Sequence, residues 1–301
     1  MHQAVLRLAG LLAAVALATS RLGLLAHELV GHGGTALAVG ARVTDVELFW
    51  FAGGWIRYQL AAPSVAAALA IAMAGIAVEV VAGTALWLAA GGPTLGRRIV
   101  RAVGAALVVH AAWYLATGAW HGFSDGALLH RELGSARWPV AIVAGAVACA
   151  AAFAGAREGL GALAATLPRH RVAGTIVAVV IAGGVHVALA AGELYVRRDA
   201  TYRSVMKPES TRVVERELER WTAERGVVAP DERAVEQARL EREHRDFPFA
   251  WLLGAAVAAS VIAGARRSRL GDEAVSRRLL AIAAAVAAIA TTAVIVLGAI
   301  L

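Results

Sequence analysis

The chain has 301 residues, 59% of them hydrophobic and 17% charged, with a net charge of +7. Several apolar runs reach the length of a bilayer-crossing helix, which argues against an ordinary soluble protein. The positive charge is almost all arginine, with Lys207 the one lysine, and no aromatic-basic pattern points to DNA or RNA. In such a chain, charge speaks first to topology and anionic lipid. The single cysteine, Cys149, allows neither an internal disulfide nor a cysteine-based zinc knuckle.

The expected fold is an all-α multi-pass membrane protein with about seven transmembrane helices. The first apolar run spans Ala4 to Ala38, long for one crossing at about 1.5 Å per residue, so it is tilted, kinked or extended beyond the bilayer. Its start could pass for a signal peptide ending at Ala16-Leu17-Ala18, but the apolar character continues past Arg21 and reads as a retained helix. Residues 40–60 follow, rich in β-formers and interrupted by Ala52-Gly53-Gly54. They read as a membrane-associated β-hairpin, or as an interfacial loop anchored by Phe49, Trp50, Phe51, Trp55 and Tyr58. Further spans are expected at Ser64–Ala90, Arg98–Ala119, Trp138–Gly155, Val172–Tyr195, Phe249–Ala265 and Leu279–Leu301.

The stretch from Arg197 to Phe247 holds 12 basic and 12 acidic residues, with opposite charges three and four apart. Gly226 and Pro230 divide it into two helices, a solvated helical hairpin too small for a domain core of its own. Arginine counts in the short loops favour an inside N-terminus, with 3, 3 and 5 at 91–101, 157–171 and 266–278 against 2 each at 40–63 and 120–137. The 12 bases of the charged loop reverse that count.

Ionisable residues inside apolar spans are costly, and each is a functional candidate. His27, Glu28 and His32 stand together in "LLAHELVGHGG". Imidazoles are good zinc ligands, and a glutamate beside the first can serve as general base on a metal-bound water. The metalloprotease helix H-E-x-x-H keeps its histidines four apart. Here they are five apart, which on an α-helix points them about 140° away from each other. A π-bulge would return i and i+5 to one face, and Gly31, Gly33 and Gly34 make that distortion cheap. The H-E-x-x-G-H form resembles the zinc motif of some soluble dipeptidyl peptidases. A third ligand is expected. Asp125, before Gly126, is the candidate, with His121 and His130 as alternatives; a carboxylate before glycine is also a common turn residue or helix N-cap.

In order, these features resemble the site-two protease family of intramembrane zinc metalloproteases. The matching pieces are His27-Glu28 with His32, then Gly40, "VTDVELFWFAGGW", "MAGIAVE" in the second span, and "FSDG". They cover residues 4–135. The chain departs from the family at the displaced second histidine, at Ile76 where proline is expected, at Glu79 where asparagine is expected, at an Asp-Gly without the preceding leucine and Asn/Pro-rich lead-in, and in lacking any insertion long enough for a PDZ domain. The resemblance implies one Zn2+ per chain, held by His27, His32 and Asp125, with Glu28 activating water. Glu79 and the hairpin glycines Gly53 and Gly54 are possible substrate or supporting residues; Glu79 could instead simply pair with an arginine or histidine across the bundle.

The organisation that follows is a metalloprotease-like membrane core at 1–135, additional helices at 136–196, the charged loop at 197–247 and a C-terminal transmembrane hairpin at 248–301. The expected activity is hydrolysis of a membrane protein substrate at the cell membrane, with the lipid bilayer as the other partner and no nucleic acid. The alternative is a non-proteolytic relative that binds metal or ligand in a polar cavity. His110 reads as a packing histidine. His186 and Glu193, seven apart on one face, read as a polar contact into the active cavity or, in preference, as a structural interhelical pair or an interface position for Glu193.

Overall fold

The computed structural model describes residues 2–123, 125–164, 166–167, 170–197, 207, 209–244, 249–267 and 275–301. The chain is a helical bundle with one two-stranded antiparallel sheet. Helix α1 (His2–Leu25) passes without a break through residues 16–18 into a π-helix at Ala26–Gly33 and a short α2 (Gly34–Ala38). Strands β1 (Arg42–Leu48) and β2 (Gly54–Gln59) form the expected hairpin, in register from Arg42–Gln59 to Leu48–Gly54 with a bulge between Val43 and Asp45. Then come α3 (Val65–Ala89), α4 (Leu95–His121), α5 (Gly126–Leu133), α6 (Arg137–Ala164) and α7 (Arg171–Arg197). The chain closes with α8 (Glu209–Arg225), α9 (Pro230–Glu243), α10 (Phe249–Arg267) and α11 (Arg277–Ile300).

Local chemistry sets several boundaries. The Ser64 side chain caps α3 by accepting from the Ala67 amide at 3.2 Å, and Ser276 caps α11 through the Leu279 amide at 3.1 Å. Gly122, in the left-handed region at φ 68°, ends α4 and turns the chain toward Asp125.

Among the described residues, six helical stretches are long and apolar enough to cross a membrane: His2–Ala38, Val65–Ala89, Leu95–His121, Gly126–Ala164, Arg171–Arg197 and Arg277–Ile300. The protein is therefore a membrane protein by the length and composition of its helices. The expected crossing at 249–265 forms α10 but is outside that set; it has 19 residues and closes on two arginines. Large aliphatic side chains point outward along the bundle, including Val81 and Leu88 on α3, Val180 and Val187 on α7, and Ile289 on α11. In water such a surface would be unfavourable; against lipid it is not.

Two packing relations position the site. Helix α3 lies against both the π-helix and α4, and α6 lies along α4. The hairpin folds back along the first span, so that its tip meets α1 and α7 while Leu48 packs against Gly298 of α11.

That tip is irregular backbone beside membrane-length helices, where unsatisfied peptide groups are costly. Two charged side chains satisfy it. Buried Arg21 donates to the carbonyls of Phe49 and Trp50, both at 2.9 Å. Glu193, whose side chain is fully buried, accepts from the amides of Trp50 at 2.7 Å and Phe51 at 2.8 Å. Arg197 reaches Glu47 at 2.7 Å and Glu193 at 3.8 Å. The polar role of Glu193 is thus to hold the hairpin tip, not to pair with another helix. Glu193→Ala strands both amides and is expected to destabilise the protein by about 1–3 kcal/mol per amide. Glu193→Gln, which keeps one acceptor oxygen, is expected to lose less. Thermal unfolding in detergent checks the order of the two.

The charged segment forms two helices broken at Gly226 and Pro230, as expected, with a small core of Val214, Leu218, Trp221 and Leu240. A hydrogen bond from His244 holds the Glu217 carboxyl below its ordinary range. The hairpin is not wholly solvated: Arg216 donates to the Gly122 carbonyl at 2.9 Å, and the Arg212 guanidinium stacks over Phe123 at 4.2 Å.

Candidate metal centre

The π-helix is the local feature that the five-residue spacing demands. Over Ala26–Gly33 the backbone takes the wider turn, and both imidazoles face the same way, with ring centroids 4.7 Å apart. His27, Glu28 and His32 are all buried, and one ligand atom from each lies within 4.8 Å of the others. This group could hold a metal ion.

Asp125 comes to the same point from 93 residues away. Its Oδ2 lies 3.0 Å from His27 Nε2 and 3.1 Å from His32 Nε2. Asp125 occupies the N-cap position of α5, yet its side chain makes no capping bond. The commonplace role of a carboxylate before glycine is therefore not the one it takes. Gly126 allows this placement: a Cβ there would collide with the backbone of Gly118 and Ala119 on α4, so α5 starts in direct contact with α4.

The histidine tautomers bear on what fits between these atoms. His32 Nδ1 sits 2.7 Å from the Ile71 carbonyl. A carbonyl only accepts, so Nδ1 carries the proton, and a neutral His32 turns the Nε2 lone pair toward Asp125. Two acceptors then face each other at 3.1 Å, an arrangement that needs a proton or a cation between them. A metal ion would satisfy both imidazoles and the carboxylate together, and two nitrogens with one oxygen are a donor set suited to zinc.

Glu28 differs from the other carboxylates. Its Oε2 is buried and has no hydrogen-bond partner among the described residues. Glu28 lines a cavity of about 780 Å³, a size typical of ligand pockets. His27, Glu79, His110, Tyr114 and the hairpin tip, including Gly53 and Gly54, share its otherwise mostly aliphatic wall. Arg212 of the charged hairpin also reaches it. His32 and Asp125 complete the cluster without lining the cavity.

Other candidates are engaged elsewhere. His130 donates through Nδ1 to the Ala119 carbonyl at 2.9 Å and lies 2.8 Å from Arg137. The His121 ring neighbours His244, with centroids 6.2 Å apart. His186 lies on the cavity wall, in keeping with its less favoured reading as a cavity contact, and forms no interhelical pair among the described residues. His110 is not a packed histidine; its side chain is 61% exposed, toward the cavity, and its Nδ1 lies 2.7 Å from Glu79 Oε2.

Sequence reasoning singled out Glu79 on α3, as a substrate or supporting residue or as a partner for an arginine or histidine across the bundle, but missed the rest of that face. Ile71, Gly75 and Glu79 recur every four residues and so share one face, and all three are buried. A Cβ on Gly75 would lie 2.6 Å from the His27 ring, and one on Gly31 would lie 2.5 Å from the Gly75 Cα. That period of four, ending in a carboxylate inside an apolar span, was the available signal.

No protein-family model, curated protein or solved structure matches this chain.

Proposed function

We propose that the protein is a zinc-dependent intramembrane endopeptidase of the cell membrane, similar in the order of its motifs to the site-two proteases. The observation that carries the reading is the meeting of His27 Nε2, His32 Nε2 and Asp125 Oδ2, with the unpartnered carboxylate of Glu28 beside them on a cavity wall. The three ligand residues would hold Zn2+. When bound, the metal supplies Lewis acidity that lowers the pKa of water and polarises a carbonyl.

This chain's residues do the rest. Glu28 takes the proton from the attacking water and returns it to the leaving amine, the ordinary work of a general base turned acid. The aliphatic cavity wall excludes bulk water and receives apolar side chains of a membrane protein substrate. The hairpin, with Gly53 and Gly54 at its tip, offers backbone donors and acceptors to an extended substrate segment by strand addition. Extension matters because a helical peptide keeps its carbonyls bonded to its own amides.

Metal analysis of the purified protein in detergent tests the assignment. Wild type is expected to carry one zinc per chain, with His32→Ala and Asp125→Ala each losing most of it under dialysis against a chelator. Zinc content unchanged in Asp125→Ala would break the ligand set.

A further inference from the structure

Glu79 lies one helix away from the ligand residues and has no part in the mechanism above. Its carboxylate is 2% exposed, in the middle of an apolar helix. A charge so placed carries a large desolvation cost unless its neighbours compensate it. The neighbours are two histidines. One oxygen, Oε2, lies 2.7 Å from His110 Nδ1 on α4; the other, Oε1, lies 3.6 Å from His27 Nδ1 on the π-helix. The His27 Nδ1 is itself buried and has no hydrogen-bond partner among the described residues, and this carboxylate is the acceptor that faces it.

Both candidate ligand histidines turn Nδ1 toward an acceptor on α3, His32 at 2.7 Å and His27 at 3.6 Å, just beyond hydrogen-bond distance. His32 turns its Nδ1 to Ile71, and His27 turns its Nδ1 to Glu79, while Gly75 between them provides the flat surface for the His27 ring. All three supports come from one face of α3 at a spacing of four residues. An imidazole that gives its Nδ1 proton to a carboxylate keeps its Nε2 lone pair aimed and becomes a better ligand.

We propose that Glu79 is a positioning residue: it accepts the Nδ1 proton of His27, fixes that ring's tautomer and direction toward the metal, and is itself anchored by His110. The proposal rests on the metal-binding reading above. It gives a role to the glutamate that stands where the resembled family has an asparagine, and a reason for the half-exposed His110 beside it.

The test is zinc affinity of the full-length protein in detergent, measured by competition with a chelator, with the visible spectrum of the cobalt(II)-substituted protein as a report on ligand geometry. Glu79→Met, similar in length and without an acceptor, is expected to lower zinc affinity by about 10–100-fold and to change the cobalt spectrum. Glu79→Gln keeps an oxygen for His27 and an amide for His110, and is expected to recover most of the loss. Glu79→Met with wild-type affinity and spectrum overturns the proposal. Equal losses in Met and Gln variants that also unfold at lower temperature make Glu79 a packing residue, and overturn it too. Wild type without zinc removes the metal reading and this inference together. Zinc held by wild type, lost in His32→Ala and kept in Glu79→Met removes only this inference.

Discussion

Glu28→Gln is expected to lower peptide-bond cleavage by about 10²–10⁴-fold while zinc content stays at the wild-type level. The substitution keeps the size of the side chain and one oxygen, and removes only the ability to take a proton. Glu28 suits this test because its Oε2 has no hydrogen-bond partner to lose among the described residues and the residue lines the cavity. Glutamine in its place changes the proton chemistry more than the packing. The comparison needs purified wild type and variant in the same detergent, a membrane protein substrate, and metal analysis of both. Cleavage undiminished in the variant would sink the protease reading. Zinc retained by a protein that never cleaves, in wild type as in the variant, would favour the metal-binding relative in its place.

The second large effect is expected at Gly75. A methyl group there would lie 2.6–2.7 Å from three atoms of the His27 ring. The ring cannot retreat cheaply, because its own π-helix already touches α3: a Cβ on Gly31 would lie 2.5 Å from the Gly75 Cα. Gly75→Ala must therefore rotate His27 or force the two helices apart. Either movement breaks the convergence of His27 and His32 on Asp125. Overpacking of this kind costs about 1–3 kcal/mol, and the displaced imidazole should cost the metal site more than the fold. Thermal unfolding and zinc competition on the same sample separate the two effects. Gly96→Ala on α4, where the added carbon meets nothing within 4 Å, is the matched control. A Gly75→Ala protein as stable as the control variant, with wild-type zinc affinity, would contradict the contact between α3 and the π-helix.

Much of this site was legible because it breaks the rules of its surroundings. His27, Glu28 and His32 are costly in an apolar span, and their five-residue spacing already required a helix that is not α; the backbone at Ala26–Gly33 is a π-helix. The hairpin could be read from its β-formers and its Gly53-Gly54 tip, and six membrane-length helices from hydropathy, which also counted a seventh at 249–265 that is outside the set found. Asp125 was legible as a candidate but not as a partner. Sequence offers the same Asp-Gly for an N-cap, a turn or a ligand, and only the side-chain direction, away from the α5 amides and toward two histidines, distinguishes them.

What periodicity could not reach were contacts between residues far apart in the chain. Glu193 was conspicuous as a buried charge, but its partners are peptide groups 142 and 143 residues away. In the sequence Arg21 is only a point past which the apolar run continues, whereas in the structure it holds the carbonyls of the hairpin tip. By itself, the sequence determined that the chain enters a membrane, where its helices run, and which ionisable residues must find compensation there. Those facts follow from local hydropathy and spacing. Only the tertiary structure decided who compensates whom. A carboxylate in an apolar span announces its cost in the sequence, but the proton, amide or ligand that offsets it belongs to whichever helix packs alongside.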